Sequence, residues 1–170
     1  MEGSEDVSHL VAKDAHKSLE ERINKYPQGA PKSETLNEIL KLLFSEREAD
    51  LVSKLPVRPF NSARASKAWK LPLDETEKIL EELASRAILL DMETKEDRLF
   101  MLPPPMAGFF EFSLMRIGKN VNQKALAELY YQYLNVEEDF VKDLFYSTDT
   151  KLGRVYVNES VLSRENTVSI

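Results

Sequence analysis

The chain has 170 residues, 42% of them hydrophobic, enough to bury a core in one domain or in one domain with an appended lobe. It contains no cysteine, which excludes disulfides, iron-sulfur ligation and thiol catalysis by its own residues. With 23 basic against 29 acidic residues the net charge is -6, a weak field of the wrong sign for general attraction to phosphate backbones, so binding nucleic acid requires a local basic patch.

No stretch reaches the roughly eighteen apolar residues of a membrane span. The first residues are acidic (Glu2, Glu5, Asp6) where a secretory signal is basic and then apolar, so the cytoplasm is the expected compartment. Residues 5–26 lack Gly and Pro and place Val11, Ala15, Leu19, Ile23 and Tyr26 on one stripe, which predicts a helix. Pro27, Gly29 and Pro31 break it.

A second helix is expected from about Ser33 to Phe44, because Leu36, Ile39, Leu40 and Leu43 recur at the spacing of one buried helical face. Ser45 and Glu48 then form an S-x-x-E capping box, in which hydroxyl and carboxylate satisfy free backbone donors at a helix start. The short third helix carries Leu51, Val52 and Leu55 and ends before Pro56 and Pro59.

A small-residue helix follows between Asn61 and Lys70 (Ala63, Ala65, Ala68, Trp69), stopped by Pro72, and a longer one starts at Asp74 with an acidic cap. That longer helix puts Ile79, Leu80, Leu83 and Ala87 on one face, and the short turn before it suggests a helix-turn-helix. Ile88 to Met92 and Arg98 to Leu102 are β-favouring runs joined by Glu93-Thr94-Lys95-Glu96-Asp97, which reads as a hairpin. Helix, turn, helix and hairpin in that order predict a mainly α, winged helix-turn-helix fold.

Pro103, Pro104 and Pro105 close this unit. Beyond them come the aromatic segment Gly108 to Arg116, helices at Gln123 to Leu134 and Glu137 to Tyr146, a short strand at Arg154 to Val157 and a polar tail. The expected organisation is an N-terminal helix and linker at 1–32, a winged-helix domain at 33–105 and a helical C-terminal lobe at 106–170 with a frayed tail.

Several segments resemble ferredoxin-type 4Fe-4S proteins of anaerobic bacteria and archaea that carry an N-terminal winged-helix domain. The first are Tyr26-Pro27-Gln28-Gly29-Ala30-Pro31 and Ile39-Leu40-Lys41-Leu42-Leu43-Phe44-Ser45-Glu46-Arg47-Glu48-Ala49. Leu102-Pro103 with Gly108-Phe109-Phe110-Glu111-Phe112, and Arg154-Val155-Tyr156-Val157-Asn158-Glu159-Ser160, are similar to later segments of the same family, so the likeness spans nearly the whole chain. In that family the cluster-binding cysteines come just after the point at which this sequence stops. The chain carries none of them and also lacks the glycine of the family's wing turn, so no cofactor and no electron-transfer role passes to any residue here.

The helix from Asp74 to Ala87 occupies the recognition position, where a DNA reader offers Arg, Lys, Asn or Gln. It offers Glu75, Glu77, Glu81 and Glu82 against Lys78 and Arg86, which disfavours insertion beside phosphates. The preceding helix is the opposite case: Arg58, Arg64, Lys67 and Lys70 cluster around Trp69, suited to phosphate or to an acidic protein surface, with Trp69 itself read as core.

His9 and His16, with Glu20 a turn beyond, fall near one helix face, but two histidines without a carboxylate cluster make a poor metal cage and read as surface residues. Acid pairs such as Glu81 with Glu82, or Glu137, Glu138 and Asp139, would need a pocket that perturbs their pKa before they served as acid-base groups. No phosphate loop, nucleophile elbow or metalloprotease motif is present. Phe109, Phe110, Phe112, Leu114 and Met115 cover more than one helical face, predicting either deep burial or an interface with a partner or second copy.

The sequence therefore predicts no catalytic, cofactor or metal residues and no membrane contact. It points to a non-catalytic winged-helix module for protein contact or self-association, with a DNA-binding winged-helix regulator as the alternative.

Overall fold

The computed structural model describes residues 15–26, 28–115 and 122–146. Helix α1 covers residues 15–23 of this range and is followed by α2 (Glu34–Leu43), α3 (Glu46–Ser53), α4 (Ser62–Trp69) and α5 (Leu73–Ser85). Strands β1 (Leu90–Glu93) and β2 (Arg98–Met101) come next, then α6 (Phe110–Met115), α7 (Gln123–Tyr131) and α8 (Asp139–Tyr146). A π turn at Pro105–Phe109 leads into α6, and another at Gln132–Val136 extends α7. The fold is mainly helical, a winged helix-turn-helix with a two-stranded wing. His9, the strand expected at 154–157 and the tail lie outside the described residues.

The start signals act as the sequence implies. Ser33 accepts the Leu36 amide at 3.0 Å to cap α2, and at α3 Ser45 and Glu48 complete the reciprocal box. Gly29 is needed where the chain turns from α1 to α2: a Cβ there would lie 2.2 Å from Asn24 Oδ1, the atom that accepts the Ala30 amide.

β1 and β2 pair antiparallel from Leu90 opposite Met101 to Glu93 opposite Arg98. Phe60, between α3 and α4, adds a one-residue bridge to Phe100, with amide-to-carbonyl bonds of 2.9 and 2.7 Å in the two directions, so the wing is tied back to the helices. The wing turn has no glycine because it needs none. Thr94 closes it through Oγ1, which accepts the Asp97 amide at 3.0 Å, and none of its residues has a positive φ.

One continuous core runs through the molecule, from Leu19 and Ile23 of α1 through α2, α3, the helix-turn-helix and Phe100 to Phe109, Phe110, Tyr133 and Phe140. The C-terminal helices thus share the core of the winged helix: α7 packs on α2, and the Tyr133 hydroxyl donates to Pro31 O at 2.7 Å. Arg22 is 1% exposed and has no carboxylate partner among the described residues; its Nε donates to Leu55 O and its Nη2 to Pro56 O. A cation there sits against the carbonyl-rich end of α3, where the helix dipole favours it.

Candidate docking face on the helix-turn-helix

Helix α4 is capped by Asn61, whose Oδ1 accepts the Arg64 amide at 3.0 Å. Its inner face buries Ala65 and Trp69, and the indole N–H donates to Leu51 O at 2.7 Å, which fixes α4 against α3. The helix ends with Lys70 in the left-handed region at φ 57°, while the Leu71 amide returns to Ser66 O. Glycine is the usual occupant of such an end, and here lysine takes its place.

Helix α5 starts at Leu73 with Pro72 at its cap, not at Asp74 with an acidic cap as its sequence suggests. Proline fits because the first helical amides have no intrahelical partner, and Asp74 then lies inside the first turn where the dipole favours an anion. The inner face buries Thr76, Leu80, Leu83 and Ala84.

The outer face of α5 is acidic, and its acids are partly engaged. Glu75 pairs with Arg47 of α3 at 2.6 Å, Glu77 accepts from the Ser62 hydroxyl at 3.1 Å, and Glu81 pairs with Arg98 of the wing at 3.1 Å. Arg98 also holds Asp91 at 2.8 Å, and that hydrogen bond, ahead of the charge of Glu81, raises its pKa above the usual guanidinium value. Asp74, Glu82 and Lys78 form no side-chain contact of this kind among the described residues. At the far end Arg86 pairs with Glu48, joining α5 to the α3 capping box.

Arg64, Lys67 and Lys70 are exposed along α4 and at its end, and Arg58 is exposed two residues before the Phe60 bridge. None of the four forms an ion pair among the described residues, although α4 packs directly on the acid-bearing α5. The helix-turn-helix therefore presents a positive ridge beside a negative one, divided by exposed Pro72 and Leu73.

The residues expected at an aromatic interface are divided by the structure. Phe109 and Phe110 are buried inside this chain, the first of the two outcomes that the sequence left open. Phe110 lies 5.0 Å from the Tyr130 ring, 5.9 Å from Tyr133 and 5.8 Å from Phe140, so residues of α7 and α8 that the sequence did not single out fill that role. Phe112 is half-buried, and Met115 is 78% exposed.

His16 is likewise not a surface residue: it is buried, with Nε2 3.1 Å from Phe44 O. Glu20, the other residue considered with it, pairs with Lys32 at 3.1 Å. Among the described residues no group of three His, Asp or Glu could hold a metal ion, and no helix is long and apolar enough to cross a membrane. An open apolar groove between α2 and α7 is lined by Leu42, Ala125 and Leu129 and edged by Glu38, Lys41 and Glu128.

No family model and no curated protein matches the sequence. Among solved structures the chain is similar to the oxidised form of MarR from E. coli at 16% identity, over 84% of this chain and 93% of that one, with a TM-score of 0.29. A likeness of that size carries no argument about this chain, and the fold assignment rests on its own helices and wing.

Proposed function

We propose that this chain is a non-catalytic winged-helix module that docks on a protein partner in the cytoplasm and resembles the N-terminal winged-helix domain of a ferredoxin-type 4Fe-4S protein. The observation that carries the docking reading is the outward face of α5. In the recognition position it presents Asp74, Glu77, Glu81 and Glu82, with Arg47 and Arg98 holding two of its acids in place. An acidic ridge repels the phosphates that flank a DNA groove and suits a basic protein surface.

A second reading, a DNA-binding regulator, is favoured by the exposed cations Arg58, Arg64, Lys67 and Lys70, which form no ion pair among the described residues. Fluorescence anisotropy with mixed-sequence duplex separates the two. A regulator contacting several phosphates binds at low salt and loses roughly tenfold or more affinity across the physiological range. The docking reading expects no duplex binding at low salt, and tight binding with that salt slope overturns it. The ferredoxin assignment has its own test in the codons after Ile170: a closely spaced cysteine series supports it, and any other sequence removes it.

A further inference from the structure

The geometry points to a second copy of this chain as an occupant of the helix-turn-helix face, with α4 of each copy lying against α5 of the other. This rests on the reading of that face as a docking surface and goes further by naming what docks.

The exposed cations Arg64, Lys67 and Lys70 recur every three residues, and the exposed acids Asp74, Glu77 and Glu81 every three or four. Arg64 and Lys67 lie on α4 with Lys70 at its end, and the three acids lie on α5; helices rise about 1.5 Å per residue, so the charges repeat at similar intervals and the ridges match when laid together. Within one chain they do not meet. The two helices are in contact, yet the side-chain link between them is the hydroxyl-to-carboxylate hydrogen bond from Ser62 to Glu77 at 3.1 Å, and no ion pair joins them.

Complementary ridges on one small motif are the requirement for a twofold contact, because the rotation that places α4 over the partner's α5 also places α5 under the partner's α4. The turn between the ridges supplies an apolar centre. Pro72 is exposed and Leu73 is 45% exposed, at the point where a twofold axis would bring the two copies of each together. Duplex DNA lacks the match, because a phosphate backbone lying across both ridges gains against α4 what it loses against α5.

Sedimentation velocity of the full chain, without nucleic acid, tests the inference. The wild type should form a dimer at about 50 mM salt and dissociate roughly tenfold more readily at about 500 mM, where screening shortens the reach of each charge. Arg64→Glu with Lys67→Glu should be monomeric, as should Asp74→Lys with Glu77→Lys, each with a helical circular dichroism signal that shows it folded. Mixing the two variants should restore a heterodimer, since reversed ridges then face each other. A wild type monomeric at low salt, a dimer that either variant leaves intact, or a mixture that stays monomeric each overturns the proposal. Should the acid variant not fold, Leu73→Arg takes its place: it must abolish the dimer. Failure of the self-contact leaves the docking reading to be judged on duplex binding alone.

Discussion

Raising the pH should unfold this protein through two particular tyrosines. Tyr130 and Tyr133 are 3% and 1% exposed, with hydroxyls bonded to Ser113 at 3.0 Å and to Pro31 O at 2.7 Å. Burial disfavours the phenolate and pushes both pKa values above the ordinary tyrosine range; at Tyr130 the Ser113 contact opposes the shift in part, and at Tyr133 the charge of Glu137 adds to it. In the unfolded chain both titrate at roughly 10, the ordinary tyrosine value. Above that pH the unfolded state releases protons that the folded state keeps, so their contribution is intact below the unfolded pKa and is lost as pH rises. Each group removes about 1.4 kcal/mol per pH unit once the unfolded tyrosine is ionised, and the pair together about 3 kcal/mol between roughly pH 9 and 11. Urea unfolding followed by circular dichroism at steps through that range measures the slope. Tyr133→Phe should lower stability by about 1 kcal/mol at neutral pH through the lost bond to Pro31, yet halve the alkaline loss assigned to the pair. An alkaline slope unchanged in both Tyr130→Phe and Tyr133→Phe, or tyrosinate absorbance showing both ionising near 10 in the folded protein, would refute the reasoning.

Trp69→Phe keeps a ring in the core but removes the indole bond to Leu51 O, which retains the Lys54 amide as a donor. The expected loss is about 1 kcal/mol, read as a fall in Tm of roughly 2–4 °C; a change under a degree would show that the indole bond contributes nothing. Lys70→Gly should raise stability by about 0.5–1 kcal/mol, because the left-handed backbone at φ 57° costs a residue with a Cβ more than glycine loses in chain entropy. Lys70→Ala is the control: it removes the charge but keeps the Cβ, so a gain from alanine equal to that from glycine would assign the effect to charge and not to backbone.

What the sequence disclosed and what it withheld divide along the range of the interactions. Leu36, Ile39, Leu40 and Leu43 announce α2 by spacing alone, and Ser45 with Glu48 announces α3, because periodicity and caps are local. Arg22 and His16 were not legible as buried residues, since their partners Leu55, Pro56 and Phe44 stand 28 to 34 residues away and are backbone carbonyls, which leave no mark in residue identity. Phe109 and Phe110 advertised burial or contact, but the rings that fill their surroundings belong to α7 and α8, so only the packing decides between the two. The basic and acidic series at the candidate face were visible as composition. That they fail to neutralise one another within the chain is a property of how α4 crosses α5, and appears only in the fold.

The acids of α5 also do structural work, and this bears on what the face can bind. Glu75 ties α5 to α3 through Arg47, and Glu81 ties it to the wing through Arg98, so part of the negative ridge holds the helix-turn-helix and its hairpin in register. Such exposed pairs contribute little each, roughly 0–1 kcal/mol, so their carboxylates remain available to an incoming surface. Against a phosphate about 4 Å away, each unit of like charge costs roughly 1 kcal/mol in water and about 4 kcal/mol near a protein surface, and the cations of α4 return a similar amount. A uniformly negative ligand covering both ridges therefore comes out near zero, whereas a partner with basic residues opposite α5 and acidic residues opposite α4 gains on both. The alternation of sign across Pro72 and Leu73, more than the negative net charge of the whole chain, makes a protein surface the better match for this face.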